Sequence, residues 1–307
     1  MRASERFTFG LPVLFLSSLL ALGGCSLRSM AVNSIVPVLV DPTVYLSEED
    51  PELVRESLPF LLKTIESIIQ SSPKQKEAMV FACSGFALYG NGFLQLDADV
   101  AGWQGNYDEE LELRDRLWRI YVRARDYCLQ SLESNYGGIT EQLQLDPFGA
   151  LRRVAVEDVE VLYLLGAAWG LAISNALDRP ELVVDLPAVR ALLERALELD
   201  ESYGRGAIHS ALIILESMPE QLGGSPDRAR SHFERTVELT KGLDASPYVS
   251  LAAGVSVPAE NRAEFEMLLN QALAIDPHED KSLRLLNLVN QRRARLLLDN
   301  VDDLFYE

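Results

Sequence analysis

The sequence predicts an all-α fold, a solenoid or bundle of helical hairpins, and three observations carry that prediction. Apolar residues recur at three- and four-residue spacing through most of the chain, which is the period of one helix face. Alternating patterns that would mark strands do not run beyond a few residues. Start and stop residues punctuate the periodic stretches.

The first helix opens at Pro51. Ser47, Glu48, Glu49 and Asp50 precede it, proline fits the first helical position, and Glu52 sits in the first turn, where the helix dipole favours negative charge. Leu53, Leu58, Leu61, Leu62, Ile65, Ile68 and Ile69 follow at helical spacing until Ser71-Ser72-Pro73 stops the run. A second helix is expected over about 75–96. A third is expected over about 109–133, with Leu113, Leu117, Ile120, Tyr121, Ala124 and Leu132 on its apolar side. Gly137-Gly138 and Asp146-Pro147-Phe148-Gly149 bound a less regular connector. Beyond it, helical stretches are expected near 157–177, 187–199, 204–217, 226–240, 246–256, 260–274 and 281–298. Ser225 and Pro226 supply a cap and a first helical residue after the Gly223-Gly224 turn.

Three of these helices end alike: Arg195-Ala196-Leu197-Glu198-Leu199-Asp200, Arg235-Thr236-Val237-Glu238-Leu239-Thr240 and Gln271-Ala272-Leu273-Ala274-Ile275-Asp276. Leu193, Phe233 and Leu269 stand three positions before the small residue, and Val189, Ala229 and Phe265 stand seven before it. This pattern resembles the second helix of a tetratricopeptide repeat, with Pro277 at the repeat's terminal proline, and Leu61, Ile65, Ile68 and Pro73 suggest an earlier copy. The expected architecture is therefore tetratricopeptide-like, with cryptic repeats whose stacked hairpins leave a groove on one side.

The chain opens with an export signal. Arg2 and Arg6 precede an apolar core from Leu11 to Leu22, and Leu22-Gly23-Gly24-Cys25 resembles a lipobox. Residues 1–24 are read as a lipoprotein signal peptide, 25–49 as a lipidated N-terminus and tether, and 50–307 as the helical domain. Cys25 is the expected lipidation site, tying the protein to a membrane through its acyl chains. Each buried methylene adds about 0.8 kcal/mol to that attachment. Later apolar stretches are read as broken by charge within about a dozen residues, so no second span is expected. The expected location is the periplasm, and Ser26 after Cys25, in place of an aspartate, favours the outer membrane.

The 307 residues are 48% hydrophobic and 24% charged, enough apolar material for a substantial core. The formal charge is −18, and loss of residues 1–24 removes two Arg and one Glu, leaving −19. Such a surface repels phosphate backbones and argues against nucleic-acid binding. An oxidising compartment permits a bridge between Cys83 and Cys128. Each lies in an apolar helical stretch, however, and the expectation is two unpaired core thiols.

No catalytic pattern stands out. His209, His232 and His278 are far apart in sequence and none has a second His or Cys at metal-ligand spacing, so no metal is expected and His232 is read as a packing or surface residue. Asp97, Asp99, Gly102 and Asp108 mimic part of a calcium loop, but Ala101 occupies a ligand position and the bidentate glutamate is missing. No Walker loop, nucleophile elbow or dinucleotide-binding glycine triplet occurs, and no cofactor or enzyme activity is expected.

Several segments together resemble the T-component family of tripartite ATP-independent periplasmic (TRAP) transporters. They include Asp50-Pro51-Glu52-Leu53-Val54-Arg55-Glu56-Ser57-Leu58-Pro59-Phe60, Tyr121-Val122-Arg123-Ala124-Arg125-Asp126-Tyr127, Leu199-Asp200-Glu201-Ser202-Tyr203, Arg230-Ser231-His232-Phe233-Glu234-Arg235 and Gln291-Arg292-Arg293-Ala294-Arg295. The resemblance implies a homotrimer, a cleft for an apolar ligand and partnership with a periplasmic solute-binding protein. Leu164 departs from it, because a tryptophan is expected after Tyr163, and this bears on pocket shape.

The remaining aromatics and glycines suggest where the cleft lies. Tyr89, Phe93, Tyr121, Tyr163 and Trp169 are expected to touch a hydrophobic small molecule, with Asn91 and Arg123 at its polar end. Gly85, Gly90, Gly92, Gly166 and Gly170 are costly in helices unless backbones approach closely or space is kept open. The favoured reading is a lipid-anchored accessory protein of a TRAP-type system that binds a hydrophobic solute and docks a solute-binding protein. The alternative is an assembly lipoprotein whose groove receives a partner's peptide.

Overall fold

The computed structural model describes residues 34–305, and these are helical throughout with no strand among them. Helix α1 spans Pro51–Ser71, and its Asp50 cap accepts from the Glu52 and Leu53 amides at 3.0 and 3.4 Å. Helix α2, Lys76–Tyr89, runs through a π-helical turn, Gly90–Leu94, into α3, Gln95–Trp103. Helix α4 is the longest, Tyr107–Asn135. Two short helices, α5 (Ile139–Leu145) and α6 (Pro147–Leu151), fill the connector that the sequence pattern leaves irregular. Then come α7 (Val159–Ser174), α8 (Leu186–Leu199), α9 (Ala207–Glu216) and α10 (Pro226–Thr240). Helix α11 (Ser246–Leu251) also continues as a π-helical turn, Ala252–Ser256, before α12 (Arg262–Ala274) and α13 (Arg284–Asp299).

Helices α2, α4, α7 and α8 pack in succession, and α9 with α10 and α12 with α13 form further neighbours. The small residues of the shared helix-end pattern, Ala196, Thr236 and Ala272, are all fully buried, which explains why nothing larger stands there. Helix α13 then returns to the beginning of the fold. Its Arg292 pairs with Glu52 of α1 at 2.5 Å, and Arg284 donates to the Ser47 carbonyl at 3.0 Å. That return closes the helical array across some 240 residues of sequence.

Three expectations are corrected. Cys83 and Cys128 are bonded, not free, because α2 and α4 pack side by side with the two Cα atoms 5.5 Å apart. The span Lys76–Trp103 is long and apolar enough to cross a membrane by length and composition, because no charge interrupts residues 78–96. Here it is a core helix, with Ala78, Ala82, Cys83 and Phe86 buried against its neighbours. The segment read as a tether is, from Ser34 on, packed against the body. Val36 is buried, and Tyr45 of the short helix Thr43–Leu46 meets Phe81 at 6.3 Å. Residues 1–24 and Cys25 lie outside the described residues.

Candidate functional site

Helix α7 is the spine of the site. Tyr163, Ala167 and Leu171 recur every four residues, so they form one stripe along it, and all three line two adjoining cavities, the two lobes of the cleft. The first lobe, about 180 Å³, is walled by α7, α8, α9, α11 and α13, with Val189, Leu193, Ala211, Ile214 and Leu215 on its apolar side. Its polar residues are Ser210, Ser246, Ser250, Asn290 and Arg293. The second lobe, about 270 Å³, lies between Thr43–Leu46, α1, α2, α7 and α13, with Leu58, Phe81, Ala87, Leu88 and Leu164 among its walls. Asn91, Tyr163, Ala167, Leu171 and Leu286 belong to both lobes, which makes them the waist of one cleft.

Two glycines set this geometry. A Cβ on Gly166 would meet Leu193 at 2.8 Å, so glycine lets α8 lie close against α7 on the first lobe's wall. A Cβ on Gly90 would lie 2.7 Å from the Tyr121 ring, and glycine there admits the ring under the π-helical turn. The turn carries Asn91 to the waist. Its carbonyl accepts from Arg293 Nη2 at 2.7 Å, and Arg293 Nη1 reaches Asn91 Oδ1 at 3.5 Å. A π-helical turn disturbs the regular ladder and recurs at functional sites, and here a side chain from the last helix supports it.

Of the seven residues expected to touch a ligand, Asn91 and Tyr163 line the cleft and the other five do not. Tyr121 is wholly buried, with its hydroxyl donating to Gln95 Oε1 at 3.1 Å and its pKa driven far up by burial. Arg123 turns toward α1, where its Nε meets Glu66 Oε1 at 2.5 Å and its guanidinium lies 5.1 Å from the Phe86 ring centre. Trp169 is buried on another face of α7, beneath Arg125 at 5.2 Å. Phe93 is core, and Tyr89 packs on it at 6.2 Å under Arg116. The physical reason is helical phase. Trp169 stands two residues from Ala167, about 200° around the helix, so it faces away from the Tyr163 stripe. Leu164 does line the second lobe, where a tryptophan side chain would occupy more of it.

Sequence reasoning missed Leu286, Asn290 and Arg293, which form a stripe on α13. The available signal was two polar residues repeating on the phase of a leucine. Tyr163 stays neutral, its pKa pushed up to about 12 by burial and then by the Asp244 charge.

Two histidines distant in sequence meet outside the cleft. His209 Nδ1 and His232 Nδ1 are 2.8 Å apart, and His209 Nε2 lies 3.3 Å from Glu201 Oε1. Burial and then the neighbouring His209 push His232 down to about 4, and burial lowers His209 as well. Asp97 and Asp99, the calcium-like positions, sit on helix α3 and bond to Arg55 at 2.6 Å and Arg114 at 3.2 Å.

Fold and site together define an all-helical protein whose helices enclose a mostly apolar cleft. Residues 47–305 match the model of the family described as TRAP transporter T-component. The chain belongs to that family, and with it to the components of TRAP transport systems rather than to a family of enzymes. It is also similar to an uncharacterized protein of Treponema pallidum (strain Nichols), at 29% identity over 311 residues, covering 95% of this chain and 96% of that protein.

Proposed function

We propose that the protein is a lipid-anchored periplasmic accessory component of a TRAP-type transport system that shelters a hydrophobic small molecule in its cleft and docks a solute-binding protein. The observation that carries this reading is the two-lobed cleft, whose second lobe is walled mostly by carbon. Its work is burial and release, without a bond made or broken. The Cys83–Cys128 bridge supports an oxidising compartment, and the lipobox at Cys25 supports membrane attachment, with the outer membrane favoured by Ser26. The shared helix ends, packed on buried small residues, support tetratricopeptide-like hairpins. A peptide-receiving groove would be expected to carry several polar side chains along its length, and the second lobe has few.

Native mass spectrometry of protein purified from its host tests the reading. The expected result is small apolar molecules retained on the chain, a homotrimer, and capture of a solute-binding protein. Repeated preparations free of any bound molecule, with no gain in thermal stability from added apolar compounds, would overturn it.

A further inference from the structure

The cleft has an unusual electrical composition for a chain of charge −18. Neither lobe has an Asp, Glu, Lys or His on its wall, and Arg293 is the single charged residue there. A guanidinium stays protonated in proteins, so the cleft carries one fixed positive charge, in the lobe that Ser210 and Asn290 also line.

That charge makes no direct ion pair on the protein. Arg293 spends its two Nη groups on Asn91, and both of these acceptors are neutral. No carboxylate forms an ion pair with it among the described residues; the nearest in effect is Asp99, which feels the Arg293 charge from a distance and is itself bonded to Arg114 at 3.2 Å. Arg293 Nε is buried with no acceptor, and so is Ser210 Oγ in the same lobe. Buried polar groups are ordinarily satisfied, and a half-buried cation in an apolar wall costs free energy until an anion meets it.

We propose that the first lobe receives the carboxylate of a singly charged amphiphile on Arg293, while its alkyl tail passes the waist at Tyr163 and Ala167 into the second lobe. One cation neutralises one negative charge. A doubly charged head group, or a dicarboxylate, would leave an uncompensated charge in an apolar cleft, so neither fits. The apolar second lobe excludes short organic acids as tight ligands, because they bring no methylenes to bury there. This inference rests on the cleft being a ligand site, as proposed above, and adds the charge and head-group class of the ligand.

The test uses residues 25–307, which contain the whole described fold, titrated calorimetrically at pH 8 with dodecanoate and with 1-dodecanol below their aggregation limits. A charge-assisted hydrogen bond in a partly desolvated site predicts dodecanoate binding about 10- to 100-fold more tightly than the alcohol. Arg293→Gln should bring dodecanoate down to the alcohol's affinity and leave 1-dodecanol unchanged. The wild-type comparison stands on its own should that variant fold poorly. Equal affinity for acid and alcohol overturns the carboxylate assignment while the apolar cleft survives. Binding of neither overturns both. Shortening the acid should weaken binding by about fourfold per methylene lost.

Discussion

The two sides of the cleft are built from different materials. The N-terminal side, α1 to α4, of which α1 and α2 wall the second lobe, is irregular at its π-helical turn and, besides ion pairs such as Arg55–Asp97 and Arg123–Glu66, is joined covalently through Cys83 and Cys128. The side that walls much of the first lobe, α8 to α13, repeats one helix-end pattern and is knitted by arginine–carboxylate pairs, among them Arg190 and Arg228 on the buried Glu216 at 2.5 and 2.6 Å. The first side has a staple that needs no partner charge. The other side has no such bridge among its described residues and relies on its ion pairs, so it should answer more to pH and to single charge removals.

The bridge gives the largest expected effect. Reducing it, or making Cys83→Ala with Cys128→Ala, should lower unfolding free energy by up to about 4 kcal/mol, the chain-entropy value for a loop of this length. The two residues are 45 apart in sequence. Chemical denaturation measures the loss, and hydrogen exchange should place it in α2 and α4, with α10 to α12 changed least. Equal loosening on both sides would erase the contrast.

Glu216→Gln should come next. Burial raises this carboxyl's pKa, but hydrogen bonds from Arg228 and Arg190 more than reverse that, so it is charged and paired at neutral pH. Removing its charge strands two arginines, one of them half-exposed, at a cost of about 2–3 kcal/mol. Urea unfolding of the variant checks this, and a change under about 0.5 kcal/mol would place the pair with weak surface bridges.

The histidine pair tunes the same side by pH. His232 is held neutral when folded, down to about 4, whereas in the unfolded chain it takes a proton near 6.5. The unfolded state therefore binds more protons between those values, so this contribution is complete above about 6.5 and is lost as pH falls toward 4. Glu201, Glu216, Arg190, Arg228 and Arg235 surround the pair electrostatically. The loss should be on the order of 2 kcal/mol and should disappear in His232→Gln, as read from melting temperature against pH.

The smallest effect on stability should come from Ala167→Leu at the waist. Ala167 is partly exposed toward both lobes, so the larger side chain fills space and leaves the core intact. Apolar ligands long enough to occupy both lobes should lose roughly tenfold in affinity, while unfolding free energy moves by less than about 1 kcal/mol. Unaltered binding would mean that the lobes act separately.

Local chemistry made the helices legible. Asp50-Pro51 and Ser225-Pro226 announce starts that the structure keeps, because a cap acts within four residues and needs no distant partner. The connector helices α5 and α6 were not legible, since at seven and five residues they depend on packing more than on propensity. For the cleft, the sequence pointed to Asn91 and Tyr163, which line it. It overcounted the aromatics, because Tyr121 and Trp169 carry the same composition signal whether they face a cavity or a core.

The sequence alone determined an all-helical body, an acidic composition and the small residues on which helices with a shared ending pack, all of which follow from spacing and composition. Only tertiary structure decided that Cys83 meets Cys128, that His209 meets His232, and that α13 returns to α1 and brings Arg293 beside Asn91. Each of those joins residues between 23 and 240 positions apart, and contacts at that range are set by how the helices stack in three dimensions.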